Sequence, residues 1–84
     1  MKLLAFSVFD EKAAVFGSPI FCATRGLAVR SFSDAVNQKD SPLYIHASDY
    51  KLYLVGEFDT VNGSFTVVTT PEFMYNALDF KEVK

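Results

Sequence analysis

The chain has 84 residues, half of them apolar and 15% aromatic, which suits one folded domain, leaves no room for a second core and argues against disorder. Eight Lys and Arg against ten Asp and Glu give a net charge of -2, so the chain lacks the broad basic field of a protein that wraps duplex DNA, although a local patch is compatible with it. A single cysteine, Cys22, excludes an internal disulfide and suits a reducing compartment, and Cys22 with the lone His46 cannot make a structural zinc site.

Leu3 to Phe9 are apolar with β-branched and aromatic members, and they read as a strand with Leu4, Phe6 and Val8 on one face and Leu3, Ala5, Ser7 and Phe9 on the other. Lys2 ahead of this run imitates the start of a signal peptide, but Asp10 and Glu11 interrupt it early and no small-residue cleavage site follows. The expectation is a cytosolic chain without a membrane span. Asp10 to Lys12 form a turn, and Ala13 to Phe16 give a short strand returning beside the first. Pro19 cannot donate to a ladder, so Ile20, Phe21 and Cys22 make an edge segment or an extended lead-in.

Thr24 to Gln38 is the one convincing helix. Ala28, Phe32, Ala35 and Val36 recur at helical spacing and form an apolar stripe bordered by Val29, while Arg25, Arg30, Ser33, Asn37 and Gln38 fall on or near the other side. Thr24 supplies a cap. Lys39 to Asp49 is polar and broken by Pro42, and reads as a long connection anchored by Leu43, Tyr44 and Ile45. Tyr50 to Phe58 and Phe65 to Thr70 alternate as strands around the turn residues Asp59 to Gly63, forming a hairpin with Phe58 and Phe65 facing one another. Gly56 within the first of these strands predicts a bulge or a close approach to the helix. Pro71 is expected to stop the second strand. The tail from Glu72 to Lys84 carries Phe73, Met74, Tyr75, Leu78 and Phe80. It reads as a short helix or an arm, and so many large apolar residues require it to dock on its own domain or to swap onto a second copy. The fold class is therefore α+β, with one helix packed on a mainly antiparallel sheet of about four strands formed by residues 1–71, followed by the tail of residues 72–84.

No catalytic constellation emerges. The ordinary reading of Cys22 is a packed small side chain and of His46 a surface residue, and the scattered acids lack metal-ligand spacing. Neither a cofactor nor a metal is expected. Thr24, Arg25 and Gly26 could hold a phosphate, because a helix N-terminus exposes backbone donors beside a charged fork, but an ordinary cap with a solvated arginine explains the same residues. Arg30 and Asp34 stand at i, i+4, a pair worth only a few tenths of a kcal/mol. Tyr44, Tyr50, Tyr53 and Phe58, with Lys51 among them, are candidates for stacking on bases.

The lead-in Ile20 to Arg25, the helix motif Ala28, Arg30, Phe32 and Asp34, the segment Ser48 to Tyr53, and the hairpin motif Gly56-Glu57-Phe58-Asp59 ahead of Gly63 resemble the small nonstructural proteins of gokushovirus-type microviruses, tailless phages with single-stranded DNA genomes. The resemblance runs from about Lys2 to Val68 and leaves the tail aside. It implies a non-virion phage protein of the host cytoplasm, DNA-binding and associated with the switch toward single-stranded genome synthesis or packaging, and it brings no catalytic residues. The expected function is thus a non-enzymatic protein that binds single-stranded DNA. Arg25, Arg30, Lys51, Tyr44 and Tyr53 are the candidate contacts, chosen from residue chemistry because the resemblance assigns none. The alternative is an adaptor that acts on the phage replication initiator or a host factor without touching DNA. Open strand edges and the apolar tail predict a homodimer.

Overall fold

A computed structural model describes residues 1–82. Its first strand, β1 (Lys2–Asp10), lies inside the sheet and every later element is arranged around it. One edge of β1 pairs with β2 (Val15–Phe16) and β3 (Ile20–Cys22), and the other with β4 (Tyr50–Asp59), which pairs in turn with β5 (Phe65–Asn76). All of these pairings are antiparallel. The chain therefore folds as α+β, with five strands among the described residues and one long helix, α1 (Arg25–Val36). The last two residues of the expected tail fall outside the described residues.

The helix begins and buries itself as its spacing requires. Thr24 is extended, and its hydroxyl accepts from the Leu27 amide at 3.2 Å, satisfying a donor that lacks a partner inside the helix. Ala28, Phe32 and Val36 are buried, and Ala35 and Val29 partly so. This stripe joins Phe6 of β1 with Leu52 and Leu54 of β4 in a single core, to which Leu4 and Val8 add their side chains. Phe6, Leu52 and Val36 are the largest side chains fully removed from water, each stabilising the fold by roughly 1.5–3 kcal/mol. No Arg30–Asp34 ion pair forms among the described residues.

Two stretches differ from the sequence expectation. The connection after α1 is largely helical: Ser41 caps α2 (Pro42–Ile45) through the Leu43 amide at 3.1 Å, with Pro42 at the first helical position, and a 3-10 turn at Ala47–Asp49 follows. A proline that ends one helix is equally suited to start another, since its missing N–H is not needed there. β5 does not stop at Pro71 but runs through it to Asn76. A proline is tolerated because β5 is the outer strand, and because register passes from Gly56 opposite Val67 directly to Leu54 opposite Glu72, so that residues 68–71 have no register partner in β4. The start of the tail is therefore a strand rather than a helix or a free arm. Beyond it a 3-10 turn (Ala77–Asp79) buries Ala77, and Phe80 packs against Phe32 and Tyr75 with ring centroids 6.0 and 5.2 Å apart. Asn37, at the end of α1, donates to the Phe80 carbonyl at 2.9 Å and accepts from the Glu82 amide at 2.9 Å. The tail thus docks on its own helix.

Gly56 lies at a bulge, the first of the two readings its place inside a strand allows, and the group that approaches it is the Phe65 ring. A Cβ at this position would come within 2.4 Å of a Phe65 ring carbon and 2.8 Å of the Thr66 carbonyl oxygen. Gly56→Ala is therefore expected to lower stability by about 1–3 kcal/mol, measured by urea denaturation. Adding Phe65→Ala should relieve only part of the loss, because the backbone contact remains, and full relief in this double-mutant cycle would contradict the geometry.

Candidate functional site

Strand alternation divides the sheet into two unlike faces. Leu4, Phe6 and Val8 of β1 look toward α1, and the opposite side of β1 presents Leu3, Ala5, Ser7 and Phe9. Among the described residues no helix covers that second face. What covers it is a set of aromatic rings carried by the sheet itself. Phe9 lies 4.6 Å from Phe16 of β2 and 6.1 Å from Tyr53 of β4, measured between ring centroids. Tyr53 is also 5.4 Å from Phe16 and 5.7 Å from Phe73 of β5. Toward the other end of the same face Phe21, Phe58 and Phe65 form a second group, with centroids 5.8 to 6.4 Å apart.

The local sequence explains how each ring arrives. The turn after Asp10 brings Phe16 opposite Phe9, with Ala14 in the left-handed region at φ 58 and the Asp10 carboxylate accepting from the Lys12 and Ala13 amides. Ala5 pairs with Phe21 on one side and Gly56 on the other, and Gly56 leaves room for the Phe65 ring to lie against the sheet. Ser7 is buried and its hydroxyl donates to the Gly17 carbonyl at 2.8 Å, tying the connection between β2 and β3 across this face. Small residues on the inner strands are thus roofed by rings from their neighbours. The roof itself stays accessible: Phe16, Phe21, Phe65 and Phe73 are each 44–48% exposed.

The five candidate contacts do not converge. Tyr53 belongs to the aromatic face and Lys51 lies two residues away on the same side, its ammonium 2.6 Å from the Glu11 carboxylate. Arg25 lies on the helix side, where its guanidinium donates to both Glu72 oxygens at 2.6 and 3.3 Å. They border an open cleft of about 500 Å³ lined also by Gly26, Val29 and Met74. The fork that the sequence offers to a phosphate therefore holds a carboxylate of its own chain. Arg30 is exposed on α1. Tyr44 lies on α2 with the Lys81 ammonium 4.5 Å above its ring. Phe9, Phe16, Phe21, Phe65 and Phe73 were not among the candidates. Phe9 and Phe65 were signalled by strand alternation, Phe16 by the hairpin that returns beside β1, and Phe73 was hidden by reading Pro71 as a stop.

Cys22 packs at the margin of the core opposite Leu4, and His46 borders a shallow cleft with Asp10, Asp49 and Tyr50. Leu4 and Asp10 are about 20 Å apart along β1 at roughly 3.3 Å per residue. Tyr50 ionises above its ordinary range, chiefly through burial and then through the Asp10 and Asp49 charges. Among the described residues no group of three His, Cys, Asp or Glu side chains is arranged to hold a metal ion, and no helix is long and apolar enough to cross a membrane.

The family model of the phage ORF5 proteins matches residues 3–80. The chain belongs to the phage ORF5 protein family. The match runs well past Val68 and takes in Phe73 and the docked Phe80, so both groups of the aromatic face lie within the family segment. No curated protein and no solved structure matches the chain.

The Arg25–Glu72 pair gives a test of this geometry. The guanidinium holds the Glu72 carboxyl below its ordinary range, mainly by hydrogen bonding. Because the folded value is depressed, the pair's contribution is complete above the ordinary glutamate range and is lost as pH falls through the lowered value. Denaturation midpoints of Glu72→Gln should lie slightly below wild type at neutral pH and converge with it in acid, the pair being exposed and its effect small. Parallel curves at all pH values would show that the pair contributes nothing.

Proposed function

We propose that this phage protein binds single-stranded DNA through the open aromatic face, without enzymatic activity, as a nonstructural protein of the gokushovirus type acting in genome replication or the switch to single-stranded DNA synthesis. The observation that carries the reading is the pair of aromatic groups, Phe9, Phe16, Tyr53 and Phe73 at one end and Phe21, Phe58 and Phe65 at the other, with Phe16, Phe21, Phe65 and Phe73 half exposed on the sheet face that no helix among the described residues covers. Half-exposed rings on a strand surface suit stacking on unpaired bases, which tolerates any sequence because every base has a π face. Membership of a phage family and the resemblance in the helix and hairpin motifs support the setting, the cytoplasm of the bacterial host rather than the virion.

Electrostatics support a particular version of this binding. Lys2, Arg25 and Lys51 each sit beside a carboxylate, those of Glu57, Glu72 and Glu11, and the chain carries a net charge of -2. Three of the eight cations are engaged in this way, Lys51 of the aromatic face among them, so stacking is expected to supply most of the affinity on that face. The same charge balance favours a second reading, in which the aromatic face receives a phage replication initiator or a host protein and DNA is not touched.

Fluorescence anisotropy with a labelled oligothymidylate separates the two. The expected result is binding at low salt with a shallow salt dependence, a log–log slope of about -1 for one or two neutralised phosphates on a single strand. Tyr53→Ala and Phe73→Ala should each weaken binding by roughly 5- to 150-fold, the equivalent of one lost stacking contact. Arg25→Ala with Arg30→Ala should matter less than either, and the reverse order would move the interface to the helix. No binding at low salt would sink the DNA reading and leave the adaptor.

A further inference from the structure

β5 is the outermost strand, and its free edge has no neighbour among the described residues. The strands on the far side, β2 and β3, are two and three residues long and offer little to pair with. β5 has twelve residues, and the chain carries no charge from Asn62 through Pro71. Phe65 to Thr70 combine one aromatic with five β-branched residues and contain neither Gly nor Pro, a composition that favours pairing with another strand. Val67 is 71% exposed, and a neighbour at the free edge leaves the ladder to β4 in place, because the residues of a strand bond alternately to its two sides. Edge strands are commonly guarded by a lysine, an inward charge, a proline or a bulge; Phe65 to Thr70 contains neither charge nor proline, Pro71 bounds the stretch, the register break beside it lies on the β4 side, and Glu72 beyond it is engaged by Arg25.

We propose that β5 pairs through Phe65–Thr70 with the same segment of a second copy, antiparallel about a two-fold axis. A self-paired strand sets its residues against their own kind in reverse order, which penalises any charge it carries, and this segment carries none. Only one long edge is open among the described residues, so the contact is isologous and closes at two chains instead of growing into a filament. The axis stands perpendicular to the sheet, which keeps equivalent faces of both copies on one side. The second copy therefore contributes its Phe65 and Phe73 groups to a single continuous aromatic face, twice as wide as that of one chain.

The dimer rests on the edge strand and is tested without DNA, so its failure is distinct from failure of the DNA reading. Sedimentation equilibrium of the full chain, from low micromolar to near-millimolar concentration, should give a mass approaching twice the 9.4 kDa of one chain. Val67→Lys with Thr69→Lys should raise the dissociation constant by roughly a hundredfold or more through like charges set against each other. Val61→Lys, a charge placed in the hairpin turn, should leave it unchanged. In the unmodified chain, amide exchange at residues 66–70 should slow as concentration rises. A monomer at every concentration, undiminished dimerisation of the double lysine variant, growth beyond two chains, or exchange independent of concentration would each overturn the proposal.

Discussion

A helix of twelve residues covers one face of a sheet and no more. In this chain the apolar stripe of α1 packs on Leu4, Phe6 and Val8 of β1, on Leu52 and Leu54 of β4 and on Phe80 of the tail, and among the described residues no second helix is long enough to lie on the other side. Everything on that other side must be shielded by the sheet's own side chains. The arrangement that results places the smallest residues, Ala5, Ser7 and Gly56, on the inner strands, beneath rings from the same strands and from those beside them. Those rings bury what lies beneath and remain half in water themselves. A domain of this size has only a few kcal/mol of net stability, and leaving so many rings partly hydrated forgoes stabilisation that a covering element would bring. A partner on the face, whether bases or a protein, would supply that cover.

Charge narrows the kind of partner. The cations nearest the sheet are matched by carboxylates contributed from distant parts of the chain, Lys51 by Glu11 and Arg25 by Glu72. Arg25 illustrates the point: its position at the start of α1 and its planar fork suit an anion, and the anion present is Glu72, brought there because β5 continues through Pro71. Binding on the aromatic face would thus be governed by π contact and desolvation rather than by a field of positive charge, which distinguishes it from the phosphate-dominated binding of basic proteins.

Much of the fold was legible in the sequence because the relevant signals are local. The stripe Ala28, Phe32 and Val36, the cap at Thr24, the turn at Asp59 to Gly63 and the facing pair Phe58 and Phe65 depend on spacing and turn chemistry within a few residues, and each is found where that chemistry puts it. Proline was the recurrent source of difference. Pro42 opens a helix instead of merely breaking a loop, and Pro71 sits inside an edge strand, because the cost of a missing N–H depends on whether a neighbour would have received it, which is a tertiary fact. The site was less legible for the same reason. Tyr53, Lys51 and Phe58 could be singled out by residue type, but the grouping of Phe9, Phe16 and Phe73 around Tyr53 is set by strand order and by the passage through Pro71. Arg25, Arg30 and Tyr44 were chosen by chemistry alone, and the fold distributes them over other surfaces.

The central claim, that the open aromatic face is the surface that meets single-stranded DNA, is tested most directly by aromatic ¹H–¹³C correlation spectra recorded while an oligothymidylate is added. Shifts concentrated on Phe9, Phe16, Tyr53, Phe73, Phe21, Phe58 and Phe65, with Phe32 in the core undisturbed, are the result this account predicts. Shifts confined to Tyr44 and the exposed side of α1, or an unchanged spectrum at saturating oligonucleotide, would contradict it.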